Sequence, residues 1–406
     1  MPASVAVDSD QVSLRALFSY GFRPFFLGAA VYAVVAMAFW IGWISMQSPL
    51  WALFGGSPFA WHAHEMVFGF AAAAVAGFLL TAVPNWTGAL PTSGPPLILL
   101  FATWVVGRIA MLAAGVLHPA IVATADLVFL PSLGFAAACQ LFVKPAAKNV
   151  LLLSIITAMI AANIAYHLTN AGLTSGEATN SVRFALMLLV LMIAIVGGRV
   201  IPAFTHNWLH LNVPGAAMPK RYSWLDAAAI AAVAAVAVLQ IIPAPSWLLG
   251  SLASAAAVAN GARLLLWRGV AARRAPIVWI LHVGYSWLVV GLALMAIGAF
   301  SSDARNMAAL HAFGAGAVAT MIMAIMSRAS LGHTGRTLIA PNLVVVAYAL
   351  LTLAAMLRVF GPVLAPAFYV EELIIAGLAW IAAFALFIVV YAPILMTARV
   401  RANSQE

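Results

Sequence analysis

The chain has 406 residues, 65% of them hydrophobic and only 7% charged, with a formal net charge of +9. An ordinary soluble domain is ~45–50% apolar, so that class is excluded. The surplus of Lys and Arg reads as membrane orientation and attraction to anionic lipid, with no nucleic-acid surface in it.

In chain order, apolar runs of bilayer-crossing length predict twelve helices: 24–46, 61–83, 95–116, 119–142, 149–170, 181–201, 223–242, 246–266, 277–300, 306–328, 341–361 and 369–397. The expected fold is all-α, a polytopic membrane bundle forming one integral-membrane domain over 1–406. Its longest connection, Pro202 to Tyr222, separates two halves, 1–201 and 223–406. With a cytoplasmic N-terminus, inner segments hold fifteen of the nineteen Lys and Arg. These are Arg15, Arg23, Lys144, Lys148, Arg199, Lys220, Arg221, Arg263, Arg268, Arg273, Arg274, Arg328, Arg336, Arg399 and Arg401. The outer side keeps Arg108, Arg183, Arg305 and Arg358. That asymmetry follows the positive-inside rule and places both termini inside. The first twenty residues carry Asp8 and Asp10 and lack an apolar core, so no cleavable signal is expected. The lone Cys139 excludes an intrachain disulfide and the C-x-x-C-H attachment of haem.

Polar side chains at membrane depth are costly and mark function by default. The densest group is Trp61-His62-Ala63-His64-Glu65-Met66, at the outer start of the second span. On an α-helix His62 and His64 stand about 200° apart, whereas Glu65 and Met66 share the face of His62. Either imidazole suits a metal ion, and Glu65 suits the proton or ligand-orienting role. The plainer reading is hydrogen bonding between helices. Gly69 and Ala73, further along this span, read as helix packing.

His118 lies in the third-to-fourth connection, His167 ends the fifth span, and His311 is about one turn into the tenth. All three share the outer depth of His62 and His64. Gly314 and Gly316 beside His311 would let a flat macrocycle approach the backbone. Arg108 and Asp126, in adjacent spans, read as an ion pair, either structural or part of a proton path. On the inner side stand His206, His210, His282 and His333, with Arg23, Arg199, Arg328 and Arg336. His206 and His210 fall in a proline-bordered loop and read as interface anchors. His282 reads equally as a ligand or a hydrogen-bonded core residue. Ser327 through Arg336 reads as a glycine-rich basic turn, able to bind haem propionates or another anion, or simply obeying topology. Methionines near His311 (Met307, Met321, Met323, Met326) read as filler.

Five stretches together resemble the NnrS family: Gly21-Phe22-Arg23-Pro24-Phe25-Phe26, residues 61–66, Gly77 through Gly88, Gly197-Gly198-Arg199, and Ser327 through Arg336. The resemblance implies a twelve-span bacterial inner-membrane protein with haem and copper, tied to the nitric oxide response and denitrification. Haem–copper oxidases are similar in span number and in histidines on the second and tenth spans. Their copper site has no counterpart here, because the sixth span lacks an inward His-x-x-x-Tyr pair and the seventh has no histidine. The expectation is a haem protein that reduces or binds nitric oxide with an unknown electron donor. His64 and His311 would ligate haem, and His62 with Glu65 would form the neighbouring metal or proton position. His282 and His333, with Arg23, Arg199, Arg328 and Arg336, would serve a second cofactor or clamp propionates. His167 is a further metal candidate. A proton-coupled transporter or metal exporter using buried His and Glu is the alternative.

Overall fold

The computed structural model describes residues 12–46, 53–55, 57–144, 147–301 and 307–400. Asp8, Asp10, Arg305, Arg401 and the Lys148 side chain lie outside the described residues. After a single turn, Leu14–Leu17, come α1 (Phe22–Met46), α2 (Pro58–Thr87), α3 (Pro95–Leu112), α4 (Pro119–Leu141), α5 (Ala147–Asn170) and α6 (Ala178–Asn212). The second half comprises α7 (Ser223–Val238), α8 (Ser246–Leu266), α9 (Pro276–Phe300), α10 (Met307–His333), α11 (Asn342–Leu364) and α12 (Tyr369–Met396). No strand occurs among the described residues.

Proline opens α2, α3, α4 and α9, where the missing N–H would have had no helical partner. Gly88, in the left-handed region at φ 75°, closes α2 and donates to the Pro84 carbonyl at 2.8 Å. Among the described residues, eleven helices are long and apolar enough to cross a bilayer, which makes this a multi-pass membrane protein. The exception is α7, expected over 223–242 but only 16 residues long. At 1.5 Å per residue it covers about 24 Å, short of a ~30 Å hydrocarbon core.

Two expected boundaries need correction. The sixth span does not stop before Pro202: α6 continues to Asn212, carrying His206 and His210 on helix instead of loop. Likewise α10 runs to His333, so the basic turn shrinks to Thr334 and Gly335, the latter at φ 76°.

The first and last spans pack along each other, with the Trp380 indole donating to the Ala33 carbonyl at 3.0 Å. Helices α2 and α6 are the most enclosed. Both α2 and α10 contain one seven-residue π-helical stretch, Glu65–Ala71 and Ala312–Val318, and the two stretches touch. Each begins right after a histidine singled out above, His64 or His311. Such widened turns recur at functional sites.

Candidate metal centre

Glu65 opens the π stretch and by sequence spacing shares the face of His62. Instead its carboxylate meets its chain neighbour: His64 Nδ1 lies 2.7 Å from Glu65 Oε1. Arg108 on α3 donates through Nη1 to both Glu65 oxygens, at 2.5 Å each, and through Nη2 to Asp126 Oδ1 on α4. The Tyr32 hydroxyl on α1 also donates to Glu65. Gly69 is what admits this cluster: a methyl there would lie 2.6 Å from the Tyr32 ring and 3.0 Å from Arg108 Nη1. The expected packing role of Gly69 is therefore a clearance role for an ion network.

The far side of His64 faces α5. Its Nε2 is 2.9 Å from Asn163 Oδ1 and 3.3 Å from Asp126 Oδ2. Asp126 Oδ2 also accepts from Asn163 Nδ2 and meets His167 Nε2, both at 2.8 Å. His64 and Glu65 are 0% exposed, and His167, at 7%, forms the rim. Five helices thus converge on one buried point.

His64 Nε2, one Asp126 oxygen and His167 Nε2 lie within 4.8 Å of one another. Ligands bonded at about 2.1 Å around a tetrahedral ion are about 3.4 Å apart, so small shifts close this triad on a cation. The charges favour one. Two carboxylates face a single guanidinium, and His64 meets acceptors at both nitrogens. The pattern closes only with a proton on each ring nitrogen or with a metal ion at Nε2. Glu65, Arg108 and Asn163 then hold the ligands in place from behind, as the outer partners of metal sites do. Two imidazoles and a carboxylate suit iron, copper or zinc.

A cavity of about 190 Å³ reaches this centre, lined by Trp61, Met111, Val122, Tyr166 and His167 among others. It admits a diatomic molecule with a few waters, each needing about 30 Å³. It falls below the ~300–1,000 Å³ of organic-ligand pockets.

The other expected residues separate into different groups. His62 stacks on Trp40, centroids 4.2 Å apart, and its buried Nδ1 has no hydrogen-bond partner. His311, just before the other π stretch, is not one of the triad. Its Nδ1–H donates to the Met307 carbonyl at 2.7 Å, which leaves Nε2 as the lone-pair nitrogen. His282 Nε2 bonds Thr205 at 2.8 Å.

Two of the inner arginines, Arg23 and Arg336, bond within the fold. Arg23 is buried and caps α12, donating to the Leu395 and Thr397 carbonyls at 2.7 and 2.6 Å. Arg336 donates to the Thr397 hydroxyl at 3.1 Å. His333 stacks against Tyr20 and Phe22. Arg199 is exposed, and Arg328 lies 3.6 Å over the Phe204 ring. His118 begins α4, and the exposed His206 and His210 rings stack 6.2 Å apart.

Haem does not fit the two cavities described. The one beside His167 is too small. The other, between α1, α2, α6 and α10, is about 80 Å³, wholly apolar, and without an imidazole to hold iron.

Sequence reasoning missed Tyr32 and Asn163. Asn163 had a legible signal, a polar residue in an apolar run at i,i+4 from His167. Tyr32 had none, being an ordinary aromatic in a span.

Fold and site together define a polytopic membrane protein with a buried His–Asp–His triad. The model of the NnrS protein family matches residues 16–399, nearly the whole chain, and the protein belongs to that family. Membership points to a membrane protein of the nitric oxide response. No curated relative matches the chain.

Proposed function

We propose that the protein is a bacterial inner-membrane metalloprotein that captures or reduces nitric oxide at the His64–Asp126–His167 centre. The observation that carries this is the buried triad with a diatomic-sized cavity at its His167 edge. A redox-active ion there, copper or non-haem iron, would supply the electron exchange that nitric oxide chemistry needs. Nitric oxide is small, neutral and apolar enough to enter through the membrane and cross a cavity walled by Trp61, Met111 and Val122. His64, His167 and Asp126 would hold the ion, and Arg108 orients Glu65 and Asp126 through its hydrogen bonds. Glu65, in contact with His64, is positioned to pass protons if nitric oxide is turned over. An unidentified donor would deliver the electrons. Protection against nitrosative stress follows from either capture or turnover.

Anaerobically purified protein should contain about one transition-metal ion per chain, lost in His64→Ala and His167→Ala. Its electron paramagnetic signal should change on adding nitric oxide. Unaltered metal content in both variants overturns the site, and metal without a nitric oxide response overturns the function. Metal uptake into proteoliposomes would favour the exporter alternative.

A further inference from the structure

The apolar cleft between α1, α2, α6 and α10 ends in a cation. Its walls follow two helical stripes, Met192, Val196 and Val200 on α6 and Val318, Ile322 and Ile325 on α10. Continuing each stripe by one turn brings Phe204 and Arg328, whose guanidinium lies 3.6 Å over the Phe204 ring. Arg328 has neither ion pair nor hydrogen bond among the described residues, and it is partly exposed. On the α2 wall, Phe78 lines the cleft and packs on Trp86, 6.1 Å away, which is 42% exposed at the same end. An exposed indole and an uncommitted arginine capping an apolar furrow are the pattern of a membrane–water boundary.

We infer that this cleft is a binding site for an anionic phospholipid, with its phosphate on Arg328 and one acyl chain along Phe78, Val196 and Ile325. The charge selects the headgroup, because Arg328 offers planar donors matched to phosphate oxygens and no carboxylate competes for them. The lining selects the tail, because it exposes no polar surface at all. The position gives the lipid a role. It would fill the seam where α6 and α10, from opposite halves of the chain, would otherwise leave apolar side chains uncovered.

The test is native mass spectrometry of the full-length protein after delipidation and titration with phosphatidylglycerol or phosphatidylcholine. Variants Arg328→Gln, Arg328→Lys and Val196→Phe are compared, each checked for folding by its thermal transition. Phosphatidylglycerol should bind about fivefold more tightly than phosphatidylcholine, and Arg328→Gln should erase that preference while Arg328→Lys keeps most of it. Val196→Phe, which narrows the cleft, should weaken both lipids. Equal binding of the two lipids by the wild type, or an undiminished preference in Arg328→Gln, overturns the inference. So does displacement of phosphatidylglycerol by an isoprenoid quinone at equal concentration. Metal content does not enter these readouts, so the inference and the proposed metal centre stand or fall separately.

Discussion

Two buried arginines anchor the two halves of this protein, and they are used differently. Arg108 faces two carboxylates, Glu65 and Asp126, with two imidazoles and a cavity alongside. Arg263 faces one carboxylate, donating to Asp226 at 2.8 Å, to the Tyr285 hydroxyl at 2.6 Å and to the Ala194 carbonyl at 3.1 Å. The Tyr285 hydroxyl donates to Asn260 Oδ1 at 2.6 Å, and Arg221 donates to the other Asp226 oxygen. The second network is saturated: its acceptors are matched by donors, and its charge leans positive. The first has a carboxylate in excess and lone pairs on imidazole. A buried arginine–aspartate pair alone therefore says little about function. An excess of acceptors beside histidine is what marks a cation site.

The comparison breaks most sharply when each arginine is removed. Arg108→Met should cost about 3–5 kcal/mol, because it strands the buried carboxylates of Glu65 and Asp126, and Arg263→Met should cost less, because Asp226 is only partly buried and keeps Arg221. Arg108→Met should be the worse, with two carboxylates left facing each other. Thermal unfolding in detergent reads the difference, and equal losses would show that the extra carboxylate carries no weight. A finer cut uses the two asparagines. Asn163→Ala should lower metal affinity by about 10–100-fold through loss of ligand orientation, with the thermal transition little changed. Asn260→Ala should leave metal affinity untouched. Calorimetric titration of copper into metal-free protein distinguishes them.

How much of this was legible beforehand follows from what a single chain encodes. Helix class and the membrane setting rest on local hydropathy and on proline and glycine punctuation, and these carried through, while the expected seventh span shrank to a helix of 16 residues. The depth rule placed His64, Glu65 and His167 on the outer side and picked out Arg108 and Asp126 as charges in adjacent spans. It could not say which would meet, since lateral proximity is a property of packing. Hence His311 was expected to share a haem with His64, whereas His64 meets Asp126 and Asn163. Glu65 was assigned to the face of His62 by a 3.6-residue period, yet its carboxylate meets His64, Tyr32 and Arg108. Nothing in the local sequence announces the widened turn. The only trace is Gly69, whose missing side chain accommodates Tyr32 and Arg108.

That trace supplies the next prediction. Gly69→Ala places a carbon 2.6 Å from the Tyr32 ring and 3.0 Å from Glu65 Oε2, with no far end free to swing away. It should cost about 1–3 kcal/mol by overpacking and should also weaken metal binding, because the strain falls on the residue that orients His64. In the second network the counterpart is Gly198, where an added methyl meets the Arg263 guanidinium. Gly198→Ala should destabilise the fold without changing metal content. Equal effects of both variants on metal content would dissolve the distinction between the two halves.

The smallest expected effect probes the outer edge of the Arg263 network. Arg221 binds Asp226 at 2.8 Å, but its side chain is 45% exposed, so water competes for both ions. Arg221→Ala should cost under about 1 kcal/mol, an amount that shrinks further in high salt. Asp226 keeps its buried partner Arg263 after this change, so its charge stays compensated. Arg108 has no such reserve behind it: remove it, and no arginine remains against Glu65 and Asp126. If Arg221→Ala instead matched Arg263→Met in thermal stability, the saturation assigned to this network would be wrong. Asp226 would then need both arginines, and the second half would hold its negative charge as tightly balanced as the first.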